Sequence, residues 1–352
     1  MNVNLTHWSL VRNCDAKFRL HLAVCRLTWR MQRPWIGLLA AGALLAASRP
    51  PRNAQEAFDQ APPAAAKASF PTPRVERESP SDLELSGDLA GLARGTIRYL
   101  TRDDLLTLPQ VSYTVTDDAN FTGPTQISGV LLEELNRKLA AAPESDLLVA
   151  ICSDQYHANY PHAYIAQHNP LLVLKINGQS PAGWPKDPET HRYDMGPYLI
   201  SHPTFSPAFK IFSQPDEAQI PWGVVRLEFR QEKMVLGVIA PRGPQAASEL
   251  VQAGYRIAQQ NCLRCHNMGQ EGGMKAGHPW LVLSAWAAAS PKYFADYVRN
   301  PQSRNPRAQM PGNPGYDDAT IAALTAYFET FSSSSQERPG PQEPGPQKKE
   351  KP

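Results

Sequence analysis

The sequence predicts two fold classes in series, an α+β segment over 95–240 and an all-α segment over 244–331. Three observations carry this expectation. Short apolar runs such as Leu147-Leu-Val-Ala-Ile-Cys152 and Leu171-Leu-Val-Leu-Lys-Ile176 have the length of buried strands, and turn residues bound them. Apolar positions at helical spacing lie between those runs and dominate after Pro244. Tracts rich in Pro and in Ala or Gly flank both segments, and the 352 residues suffice for two modest domains.

In chain order, residues 1–54 read as a leader. They hold eight of the 35 Lys/Arg residues but one of the 33 Asp/Glu residues, Asp15. The rest of the chain is therefore net acidic by about five charges, which argues against nucleic acid as a partner. Met31-Gln-Arg-Pro precedes an apolar run from Trp35 to Ala47 and then Ser48-Arg49-Pro50-Pro51, the order of a secretory signal. The run is too short to span a bilayer comfortably. An uncleaved anchor is the competing reading and would give the protein its membrane contact. Residues 1–30 are long for an n-region, so Met31 is the expected start, and Cys14 and Cys25 would then be absent from the mature protein. Cys152, Cys262 and Cys265 remain, too few and too odd a number for a disulfide framework. The expected location is periplasmic or exported.

Residues 55–94 read as a linker, because from about Pro50 to Pro80 Pro, Ala and charge replace any apolar period. Gln110-Val-Ser-Tyr-Thr-Val-Thr alternates as a half-buried strand does, and Val130, Leu131, Leu135 and Leu139 follow helical spacing. The run ending at Ile176 leads into an Asn177-Gly178 turn, and Trp222-Gly-Val-Val-Arg-Leu-Glu-Phe is a further strand. Beyond Pro244, Leu250, Gly254 and Ile257 define one helix face. Asp317-Asp318 offers the start of a last helix with Ile321, Leu324 and Phe328 buried. Gly254 near Tyr327 and Phe328 lets the two helices cross closely. Residues 332–352 alternate Pro and Gly and form a tail without a packed core.

The densest chemistry lies in Cys262-Leu263-Arg264-Cys265-His266. Cys-x-x-Cys-His is the attachment signature of a c-type haem, in which two thiols add to the porphyrin vinyl groups and the imidazole becomes an iron ligand. Residues three apart lie on nearly one side of a helical turn, so both sulfurs reach one edge of a macrocycle. Zinc is the competing reading, but His266 and His278 do not follow the usual finger spacing from the cysteines.

Residues 244–331 resemble the class I cytochrome c family. The likeness rests on Gly254-Tyr255, Cys262 to His266, His278-Pro279-Trp280-Leu281, Tyr293 to Pro301, Gln309-Met310-Pro311 and Leu324-Thr-Ala-Tyr-Phe. It implies one covalent haem c, His266 as proximal ligand, Met310 as distal ligand, and the carbonyl of Pro279 as acceptor for the proximal imidazole. A thioether favours ferrous iron and raises the potential. Met268 is too near His266 to reach the opposite haem face easily, whereas Met274 follows a flexible loop and stays a rival. Two protein ligands leave iron no open site, so the implied activity is electron transfer to redox partner proteins. Arg299, Arg304 and Arg307 either rim the haem edge toward an acidic partner or form a solvated charged face.

The stretch from Tyr99 to about Phe229 resembles a reduced sulfite-oxidase-type molybdopterin-binding domain. The motifs are Tyr99-Leu-Thr-Arg-Asp-Asp-Leu-Leu-Thr-Leu-Pro, Gly129-Val-Leu-Leu-Glu-Glu-Leu, Leu148-Val-Ala-Ile-Cys-Ser-Asp, Ile176-Asn-Gly-Gln, Trp184-Pro and Gly196-Pro-Tyr. In that family a cysteine binds molybdenum, which makes Cys152 the candidate catalytic residue, although a free cysteine is commonly a small buried hydrophobe. The arginine and histidine contacts to the pterin phosphate have no match here. His157, His162, His168, His191 and His202 crowd this segment without ligand spacing, and Asp154, Tyr156 and His157 lie beside Cys152. The expectation is an exported monohaem cytochrome with an amino-terminal docking or ligand-binding module. The alternatives are a molybdenum oxidoreductase feeding its own haem, and a scaffold subunit of a respiratory complex.

Overall fold

A computed structural model describes residues 70–116, 118–140, 144–187, 191–203 and 219–332. The leader and the Pro/Gly tail fall outside these residues. The strands are β1 (Leu83–Gly87), β2 (Arg98–Leu100), β3 (Val111–Val115), β4 (Thr125–Leu131), β5 (Leu147–Cys152), β6 (His157–Pro161), β7 (Leu171–Ile176), β8 (Tyr198–Ser201) and β9 (Trp222–Arg230). They form one mixed sheet in the order β2-β1-β9-β8-β7-β4-β3, with β5 on β9 and β6 on β5. Helices α1 (Arg102–Leu106), α2 (Leu132–Leu139) and α3 (His162–His168) belong to this segment. It is α+β.

Strand β9 organises the sheet. Its start pairs with β8, its end pairs in parallel with β1, and its other edge takes β5 along almost its whole length. All six side chains of β5 are buried, as its unbroken apolar run predicts. Successive side chains point to opposite faces. Leu148, Ala150 and Cys152 enter a core with Leu85, Leu135 and Phe229, while Leu147, Val149 and Ile151 enter another with Ile257, Trp280 and Phe328. The second core joins the sheet to the helical segment.

Two expectations need correction. Leu83 and Leu85 are 0% exposed within β1, so the sheet begins inside the stretch read as a linker. Their alternation is too short to stand out, and their partner in the parallel pairing, β9, lies far along the chain. Val130 and Leu131 close β4, and α2 starts only at Leu132.

After α4 (Glu232–Gly237) the chain is helical: α5 (Glu249–Ile257), α6 (Trp280–Ala289), α7 (Pro291–Arg299), α8 (Pro301–Arg304) and α9 (Asp318–Glu329). A small hairpin, β10 (Asn267–Met268) with β11 (Glu271–Gly272), follows the cysteine motif. Asp317 caps α9, its carboxylate accepting from Thr320 N–H at 2.8 Å. Ile321, Leu324 and Phe328 are buried on α9. On α5 the buried face is Val251, Gly254 and Ile257, whereas Leu250 is 49% exposed, one position off the expected stripe. A Cβ on Gly254 would sit 2.0 Å from the Ala323 carbonyl oxygen, so glycine sets how closely α5 and α9 cross. Among the described residues no helix is long and apolar enough to cross a membrane.

Candidate haem site

Helix α5 passes into a π-helical turn over Ala258–Cys262, where Leu263 N–H donates to the Ala258 carbonyl at 3.0 Å. The motif then closes as a tight turn. Cys265 N–H and His266 N–H both donate to the Cys262 carbonyl, at 3.2 and 2.9 Å. Leu263 points inward and is fully buried, while Cys262 and Cys265 are half-buried free thiols. Burial pushes the Cys262 thiol up to about 12, helped by Cys265 and opposed by Arg264. Burial likewise raises Cys265.

His266 is 7% exposed, and its Nδ1 lies 2.6 Å from the carbonyl oxygen of His278. A carbonyl only accepts, so Nδ1 carries the proton and Nε2 keeps the lone pair. This leaves the imidazole in the tautomer that an iron ligand needs, with its ring orientation fixed. Burial lowers the His266 pKa, which also favours the neutral ring. The donor set fits a c-type haem: two free thiols with two residues between them, then a neutral imidazole with one nitrogen committed to the backbone.

The acceptor differs from the expected Pro279. Pro279 is the N-cap of α6, and its carbonyl is turned into the helix to accept from Val282 N–H at 2.9 Å. It is therefore unavailable to the imidazole, and the preceding carbonyl takes that place. The His278 ring is exposed and meets the edge of Trp286, with centroids 4.9 Å apart.

Met310 is half-buried in a loop tied down on both sides. Gln302 Nε2 donates to the Ala308 and Met310 carbonyls at 3.0 and 3.1 Å, and Asn313 Nδ2 donates to the Val298 carbonyl at 3.1 Å. Asn261, next to Cys262, donates to the Tyr316 hydroxyl at 2.7 Å, linking the motif to this loop. Met274 is 59% exposed, and Met268 packs half-buried against the core shared with the sheet. Of the three arginines, Arg299 donates to the Tyr316 carbonyl and pairs with Asp318 at 2.6 Å, and Arg304 pairs with Asp296. Those two serve the local helices, and Arg307 is exposed.

The amino-terminal candidates do not form one site. Cys152 is 2% exposed in an apolar core, and burial raises its thiol above the ordinary value, with Asp154 adding to the effect. A thiol sealed this way does not fit a molybdenum ligand, which must be ionised and reachable. The histidines are dispersed. His162 Nε2 meets Asn136 Nδ2 at 2.6 Å, His202 Nε2 meets the Tyr164 hydroxyl at 2.8 Å, and His168 packs on the Tyr164 ring. His191 lines an open cavity with Asn120 and Trp184. No group of three His, Cys, Asp or Glu able to hold a metal occurs among the described residues.

Two of these rings give the fold a pH dependence. Burial, with Arg226 and Arg230, holds His157 down to about 4, and burial, with His168, holds His202 down to about 3. The unfolded chain takes up these protons near pH ~6.5. The folded chain refuses them until much lower pH, so their stabilisation is complete above about pH 6.5 and is lost as pH falls toward 4. The urea midpoint should drop between pH 7 and pH 5, and His157→Gln should reduce the drop. Equal midpoints at both pH values would refute this.

Sequence reasoning did not single out Asn261, Tyr316, the His278 carbonyl or the hairpin glycines. The Gly-Gly pair after Glu271 was the available signal: a Cβ on Gly273 would lie 1.9 Å from the Arg264 carbonyl oxygen, where the hairpin folds back over the motif.

The geometry agrees with comparison to known families. Residues 249–328 match the family described as cytochrome C oxidase, cbb3-type, subunit III. The carboxy-terminal segment is thus a cytochrome c domain, which implies haem c and supports electron transfer. Among solved structures, the sulfane dehydrogenase SoxCD from Paracoccus pantotrophus aligns at 15% identity with a TM-score of 0.29, covering 49% of this chain and 45% of that one. This chain therefore matches less than half the length of that protein. No curated protein matches the sequence.

Proposed function

We propose that the protein is an exported monohaem cytochrome that transfers electrons, with Cys262 and Cys265 as thioether anchors, His266 as proximal ligand and Met310 as distal ligand. The observation that carries this reading is the His266 ring, whose Nδ1 is committed to the His278 carbonyl beside two free thiols. Haem c supplies a one-electron iron couple when bound. The chain's part is to anchor it, fix the imidazole through His278, hold Met310 through Gln302 and Asn313, and exclude water with Leu263, Trp280 and Tyr327.

The amino-terminal segment serves as a docking or ligand-binding module of sulfite-oxidase type, a reading supported by the motifs between Tyr99 and Gly196-Pro-Tyr and by the mixed sheet they build. Catalysis at molybdenum is the weaker reading, because Cys152 is sealed in the core. A second reading places the protein in a respiratory assembly, and the oxidase subunit named by the matching family favours it.

Replacing Met310 with alanine tests the ligand assignment. The weak sulfur-to-iron absorption at the red end of the ferric spectrum should vanish and the reduction potential should fall, because a soft ligand to ferrous iron has been removed. Survival of that band in Met310→Ala, with its loss in Met274→Ala, would move the ligand to Met274.

A further inference from the structure

The turn between β5 and β6 reaches the motif directly. His157 N–H donates to the Arg264 carbonyl at 2.9 Å, and Met274 N–H donates to the Gln155 carbonyl at 3.0 Å. Gln155 adopts a left-handed backbone, φ +68°, to present that carbonyl. Beside these bonds the Asp154 carboxylate pairs with Lys275 Nζ at 2.7 Å, and the ammonium lies 5.8 Å from the centroid of the Tyr156 ring. Lys275 itself is held against the motif, because the next residue, Ala276, donates its N–H to the Cys265 carbonyl at 2.9 Å. Burial works against the Lys275 ammonium, yet the bond to Asp154 more than offsets it and raises its pKa.

We infer that Asp154, supplied by the sheet, and Lys275, supplied by the haem-binding loop, form a pair that tunes the reduction potential of the haem held at Cys262, Cys265 and His266. The inference rests on the haem reading above. Reduction adds one negative charge at iron, so a nearby cation favours the ferrous state and a nearby anion opposes it. Lys275 pulls the potential up and Asp154 pulls it down. With side chains 42% and 38% exposed, both charges act through a partly screened path, and their effects should shrink as salt rises.

The signs make the test decisive. In spectroelectrochemical titrations of the full chain at low salt, Asp154→Asn should shift the potential upward and Lys275→Gln downward. The double variant should return close to wild type. The charge-swapped Asp154→Lys/Lys275→Asp pair keeps an ion pair and provides a second variant if a single neutralisation unsettles the loop; its potential should also stay close to wild type, because the two opposite charges still offset each other. A purely structural role would shift both single variants in one direction, or neither. Either result with intact thioether-bound haem overturns this inference alone. Wild-type protein without such haem would overturn the haem reading and this inference with it.

Discussion

Cys262→Ser/Cys265→Ser protein should carry no haem through denaturing electrophoresis, whereas wild-type protein should keep it. Serine oxygen does not form the thioether that anchors the macrocycle, so only axial ligation and packing would remain. The single variants give a finer expectation. Each thioether saturates one vinyl group and shortens the conjugated path, so the pyridine haemochrome band of Cys262→Ser or Cys265→Ser should lie between those of haem b and wild type. The effect extends to folding, because half-buried Cys262 packs against the core shared with β5, which includes the fully buried Leu263. A haem anchored there would add contacts to that core, so its loss should lower the melting temperature. Retention of haem by the double-serine variant after denaturation would contradict covalent attachment at these positions.

Gly254→Ala should be destabilising out of proportion to one methyl group. The added Cβ would meet the Ala323 carbonyl oxygen at 2.0 Å and the Tyr327 Cβ at 2.7 Å. The first contact is with backbone, so no rotamer change relieves it, and α5 must move away from α9. Overpacking of this kind costs about 1–3 kcal/mol. For a protein of this size that corresponds to a fall in melting temperature of about 2–4 °C per kcal/mol. The shift passes into function, because α5 continues through the π-helical turn to Cys262 and Tyr327 anchors to the Ile239 carbonyl at 2.6 Å. A calorimetric scan in which Gly254→Ala melts within a degree of wild type would show that the crossing is looser than described.

Features set by nearby residues were legible in the sequence. Leu147 to Cys152 is uninterrupted because both faces of β5 are covered, and the run said so without revealing what covered them. Asp317 announced the last helix through its own side chain, and the cysteine motif stood out by spacing alone. What failed depended on distant partners or on a single peptide's orientation. Leu83 and Leu85 look like part of a linker until β9 arrives to pair with them. The exchange of Pro279 for His278 as imidazole acceptor follows from where α6 captures its first carbonyl. The pairing of Asp154 with Lys275 needs the β5–β6 turn folded against the motif, which no local pattern encodes. Cys152 shows the reverse hazard: its place at a strand end resembles a ligand, and burial makes it part of the core.

The most direct test of the central claim is the pyridine haemochrome spectrum, with intact mass, of wild-type protein produced alongside haem-maturation machinery. One haem per chain, retained under denaturing conditions, is expected, with the band at the thioether-shifted position. A band at the position of vinyl-intact haem, or a mass equal to the polypeptide alone, would contradict it.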